Sequence, residues 1–169
     1  MSHAEGDGTK ASGISSHAEG GYYNPYEEDY LEEFVIDDLG ISITSTTAAG
    51  LESHAEGTQT LAYEWSSHSE GYRTVASGEA SHAEGAYTTA SSFHSHAEGY
   101  NTTASGYASH AEGSGTTASS FHSHAEGYNT TASGQSSHAE GDITTASGNY
   151  SHAEGGSTIA SGNYSHAEG

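Results

Sequence analysis

Histidine and glutamate recur together along this chain, two residues apart, inside the pentapeptide S-H-A-E-G. Imidazole beside carboxylate supports three kinds of chemistry. These are acid–base or nucleophilic catalysis, transition-metal coordination, and mutual hydrogen bonding between the two groups when they are packed together. The pentapeptide histidines stand at 3, 17, 54, 68, 82, 96, 110, 124, 138, 152 and 166. From His54 to His166 every interval is fourteen residues, and the step from His17 to His54 is fourteen plus an insertion of 23.

Catalysis finds little support in this pattern. Every copy carries serine, histidine and glutamate, so no single nucleophile stands apart from the rest. Adjacent serine and histidine also point to opposite faces of a strand. No catalytic residue and no cofactor are expected. Metal binding has a weak foothold in "SSFHSHAEG", which occurs twice and sets His94 beside His96 and His122 beside His124 at the i, i+2 spacing of one strand face. The helical H-E-x-x-H zinc motif and the calcium-binding G-G-x-G-x-D repeat are both missing. Thiolate sites and disulfides are excluded by the lack of cysteine.

The elements that position these groups follow from the period. Each fourteen divides into two sevens, S-H-A-E-G-x-x and T-T-A-S-G-x-x, as in Thr102–Ala108 and Thr130–Ser136. Five strand-competent residues followed by a glycine-led corner make half of a flattened coil. Glycine every seven residues and β-branched threonine pairs argue against helix. The expectation is an all-β fold, a parallel β-roll with fourteen residues per coil and identical residues stacked in ladders.

"SHAEG-xx-TTASG-xx" resembles the head repeats of trimeric autotransporter adhesins, and the SHAEG form is similar to repeats of phage and prophage tail-appendage proteins. The resemblance covers nearly the whole chain outside residues 21–45. It implies left-handed parallel β-rolls assembled as an intertwined or side-by-side homotrimer. The chain departs from the autotransporters in showing no signal peptide, stalk or anchor, and from the phage proteins in showing no chaperone domain. It begins and ends inside a SHAEG unit, from which a piece of a longer shaft, or a protomer stacking end to end, is expected.

Strand alternation sends His and Glu to one face and Ser and Ala to the other. Across eleven copies the pentapeptide changes only at Ser69, whereas the other half drifts through "TLAYEWS" and "TTASSFH". The constant half is therefore expected to pack against partner chains at the three-fold axis. The ladder assigned there is His54, Glu56, His68, Glu70, His82, Glu84, His96, Glu98, His110, Glu112, His124, Glu126, His138, Glu140, His152 and Glu154. Pairing with glutamate would raise the histidine pKa values and make the assembly most stable in mildly acidic solution. On the opposite half, the T-x-S array of Thr103 and Ser105 is expected on a flat solvent face. The aromatic corners, such as Tyr72, Tyr87, Phe93, Tyr107 and Phe121, are expected to pack between coils.

Residues 1–20 and 46–169 thus read as β-roll, and 21–45 as an insertion. Within it, Asn24 and Pro25 have the types of an N-cap and first helical residue, and Gly40 that of a terminator. Tyr26, Tyr30, Phe34 and Leu39 form an apolar stripe, predicting a helix over about 25–39, a partner-binding candidate, followed by a short strand at "ISIT".

Composition bounds what remains. The net charge of −21 opposes nucleic-acid and anionic-membrane binding. Thirteen large aliphatics, six of them within residues 31–43, are too few for a thick core. The reading is a non-enzymatic structural fibre segment, first as a phage tail appendage presenting a receptor-binding part, and alternatively as a bacterial adhesin head or self-assembling filament. Its expected location is virion or extracellular, and its expected partners are its own copies and a cell-surface receptor or glycan.

Overall fold

The computed structural model describes residues 1–6, 8–21, 34–36, 41–43 and 45–169. Two parallel sheets face each other across a narrow interior, one of eleven strands and one of ten. The first is built from the S-H-A-E-G halves, in strands such as His96–Tyr100 and His110–Ser114. The second is built from the T-T-A-S-G halves, in strands such as Thr103–Ala104 and Thr117–Ala118. Registers are like on like: His96 lies beside His110, Ala97 beside Ala111 and Glu98 beside Glu112. The β-roll expected from the fourteen-residue period is present, without helix among the described residues.

The two halves differ in strand length, five residues against two, which the equal sevens did not foreshadow. The reason lies in the corner after T-T-A. The Ser109 amide donates back to the Gly106 carbonyl at 3.2 Å, and the Gly106 amide donates to the Ser109 hydroxyl at 3.1 Å. In the preceding coil the Ser95 hydroxyl donates to the Ser92 carbonyl at 2.7 Å. The pentapeptide serine closes this turn, and the turn ends the short strand early.

Alanine and small hydroxyl residues fill the interior. Ala97, Ala104, Ala111 and Ala118 are wholly buried, alongside Thr102 at 0% and Ser109 at 2% exposure. Each contributes little apolar area, so cohesion comes from repetition along the axis. Ser69, the lone substitution of the pentapeptide alanine, is buried too and shares a 2.8 Å hydrogen bond with the Thr74 hydroxyl.

The corners demand unusual backbone. Gly113 has φ +104°, and a Cβ there would overlap the Gly127 carbonyl of the next coil, so only glycine fits. Two residues on, each corner places a residue in the left-handed region, usually not glycine: Asn101 at φ 53°, Asn129 at 50° and Ile143 at 56°. Asparagine suits that region, whereas β-branched isoleucine is strained in it.

The insertion departs from expectation. Phe34–Ile36 and Ile41–Ile43 form an antiparallel pair, with Phe34 beside Ile43. The helix predicted over 25–39 therefore fails at 34–36, and the strand predicted at "ISIT" is present at 41–43. β-Branched Val35, Ile36, Ile41 and Ile43 favour the extended form over a helical stripe. Tyr26, Tyr30 and Leu39 lie outside the described residues. The roll continues across the insertion in unbroken register, with His17 beside His54 and Lys10 beside Thr47.

Deleting residues 21–43, which removes 23 residues, should leave the roll folded, with the circular-dichroism strand signal and cooperative melt retained. An unfolded product would make the insertion part of the folding core. Replacing Ile143 with Asn should stabilise the chain by about 1 kcal/mol in chemical denaturation, by relieving a left-handed β-branched residue. A destabilised variant would mean that the isoleucine side chain matters more than its backbone.

Candidate functional site

The outer face of the first sheet carries the histidine–glutamate ladder. Because coils stack in register, imidazole lies on imidazole: His96 and His110 have ring centroids 4.7 Å apart and planes within 2°. The same stacking joins His54 to His68 at 4.7 Å and His124 to His138 at 4.7 Å. The side chains are about a third exposed in the single chain, His110 at 35% and Glu98 at 34%. A groove beside them is walled by Glu56, Glu70, Glu84 and Glu98 and floored by Gly57, Gly71, Gly85 and Gly99.

Each glutamate sits between two imidazoles and can pair with one at a time. Near the N-terminus the partner belongs to the same coil, as in His17 with Glu19 at 3.1 Å. Near the C-terminus it belongs to the next coil, as in Glu112 with His124 at 3.1 Å and Glu126 with His138 at 2.9 Å. Between these regimes the pairing slackens, and Glu84 is 4.0 Å from His82 and 3.8 Å from His96. Here the Nε2 atoms of His54, His68, His82, His96 and His110 are buried without a hydrogen-bond partner. The expected mutual satisfaction is therefore met toward the C-terminus and broken in the middle of the ladder.

Electrostatics follow this switch. Hydrogen bonding to the Glu98 carboxylate, then burial, then Glu70, pushes the Glu84 carboxyl up to about 7. Glu98 moves down in turn, because Glu84 donates to it. Burial, followed by the charge of a neighbouring ring, lowers the pKa of His54, His68, His82 and His96. The rise expected from pairing with glutamate is overturned at these four, first because burial disfavours the charged ring and then because like-on-like stacking sets cation against cation.

The other sequence candidates fall elsewhere. His94 and His122 occupy left-handed corners, at φ 56° and 54°, so they do not continue the strand faces that begin at His96 and His124. Instead, each ring meets the edge or face of Tyr107, at 5.8 Å and 5.9 Å. In each H-S-H triplet the first histidine is thus packed into a corner, while His96 and His124 lie on the ladder. Aromatic corners stack between coils as expected, Tyr107 on Phe121 at 5.6 Å and Tyr150 on Tyr164 at 5.1 Å. Thr103 is half-buried and Ser105 exposed on the second sheet's side. The serine corner and the Glu84 switch escaped sequence reasoning. Only the constancy of serine hinted at the first.

Residues 69–91, 97–119 and 125–151 match the YadA head domain repeat. The fourteen-residue coils are thus similar to trimeric autotransporter adhesin head repeats, in sequence and in period. No curated protein matches the chain.

The four depressed histidines contribute stability that is present above their ordinary value near 6.5 and lost as pH falls through their lowered values. Glu84 acts oppositely, its contribution being full below its ordinary value of 4.5 and lost as pH rises through about 7. Glu98, depressed, contributes above that ordinary value and loses its contribution as pH falls. In EDTA-treated buffer Glu84→Gln, which lacks the opposing carboxyl, should melt at a lower temperature in mildly acidic than in neutral solution. Relative to the parent chain it should raise the melting temperature at alkaline pH and leave it unchanged at pH below about 4. An equal effect of Glu84→Gln at both extremes would contradict the raised Glu84 carboxyl.

Proposed function

We propose that this chain is a non-enzymatic structural segment of an adhesin-type extracellular fibre, assembled as a homotrimer of parallel β-rolls. The carrying observation is the match of its coils to the YadA head domain repeat, since the resemblance read from the sequence implies trimers. That match favours a bacterial surface adhesin head over the phage tail appendage placed first on sequence alone. The thin alanine interior supports assembly, because one roll buries little apolar area per coil.

In the trimer the ladder from His54 and Glu56 to His152 and Glu154 faces the three-fold axis, and the Thr103–Ser105 side faces solvent. Buried, unpartnered Nε2 atoms on the ladder face are consistent with partners supplied by neighbouring chains. The fibre presents a receptor- or glycan-binding part at a distance, and the ladder does no chemistry on a substrate.

Light scattering on the purified chain tests the assembly. The expected mass is three times 17.3 kDa, and it should persist on dilution to micromolar protein. A folded, stable monomer would overturn the reading.

A further inference from the structure

We infer that the histidine–glutamate face binds divalent first-row transition-metal ions of the zinc class, in triads of two histidines from adjacent coils and the glutamate between them. His96, Glu98 and His110 each offer one ligand atom, and these atoms lie within 4.8 Å of one another. The same holds for His68, Glu70 and His82, and for His124, Glu126 and His138. Three points that close share a centre within about 2.8 Å of each, against ligand distances of about 2.0–2.2 Å for zinc. The difference is under about 1 Å and falls to side chains a third exposed and free to adjust.

Donor chemistry selects the class of ion. Imidazole nitrogen with carboxylate suits zinc, cobalt, nickel or copper, whereas calcium and magnesium prefer all-oxygen shells. A second observation points the same way. The Nε2 atoms of His68, His82, His96 and His110 are buried without a hydrogen-bond partner. Recurrent buried nitrogens without a hydrogen bond, beside carboxylates 3.4–4.0 Å away, are the places where an ion can satisfy both groups. Cations spaced along the axis would also offset the repulsion of stacked carboxylates.

The repeat limits how many ions bind. Each histidine offers a single Nε2, so triads that share a ring compete, as do His96–Glu98–His110 and His110–Glu112–His124. Three triads without a shared ring fill together: 68/70/82, 96/98/110 and 124/126/138. Every ligand of a triad comes from one chain, so the inference does not rest on the trimer. Three protein ligands leave a fourth position for water or another chain.

The test is a cobalt titration of the full chain after EDTA treatment and desalting, at about pH 7.5, where imidazole is mostly neutral. Visible d–d absorption should saturate near three ions per chain, be displaced by zinc, and survive a tenfold excess of calcium. His110→Gln should lower the stoichiometry by one ion, and His94→Gln should leave it unchanged. His138→Gln should repeat the loss, because it too breaks two overlapping triads, and circular dichroism should show each variant folded. If His110→Gln does not fold, His138→Gln decides. Saturation below one ion per chain, displacement by calcium, or three ions retained in every folded ladder variant would overturn the proposal.

Discussion

Hydrogen bonding between backbones one coil apart governs this molecule. The His96 amide donates to the Ser109 carbonyl at 2.9 Å, and the Thr103 amide to the Thr116 carbonyl at 2.9 Å. Such bonds recur along both sheets and lock each residue beside its counterpart fourteen positions away. A one-residue slip would drive His and Glu into the interior and expose Ser and Ala. The narrow interior follows as well, because wholly buried alanines from the two sheets meet inside each coil and leave no room for larger residues.

The same constraint creates the ladder's tension. Register forces imidazole onto imidazole and carboxylate beside carboxylate, an arrangement that side chains alone would avoid. Two pairings relieve it, same-coil and next-coil, and each is geometrically sound at one end of the roll. They meet around Glu84, where neither pairing is close and the carboxyl keeps its proton to near neutral pH. The switch is a mismatch between two good solutions, located where one gives way to the other. The ladder's orphaned nitrogens, toward which a partner chain or a bound ion would turn, flank it.

Much of the fold was legible because fourteen-residue periodicity and strand alternation are both geometric. They placed His and Glu outside, Ser and Ala inside, and carried the register across the insertion from His17 to His54. Other features depended on contacts that spacing does not show. The two-residue strands arise from the Gly106–Ser109 turn. His94 missed the face of His96 because the corner backbone is left-handed there. Phe34–Ile36 became a strand because β-branched neighbours outweighed the helical spacing of Tyr26, Tyr30, Phe34 and Leu39. The pKa directions of four ladder histidines reversed because burial, and after it the stacking of ring against ring, are both invisible in one repeat.

Hydrogen–deuterium exchange resolved along the chain tests the central claim most directly, because it reads the inter-coil hydrogen bonds themselves. Slow exchange should recur with a fourteen-residue period from His54 to Ala160, strongest in the His-to-Gly strands and at the Thr–Ala pairs that bond to the next coil. The register also requires the segments on either side of the insertion, around His17 and His54, to be protected together. Complete exchange within seconds across the repeats, or protection without the fourteen-residue period, would contradict the stacked roll.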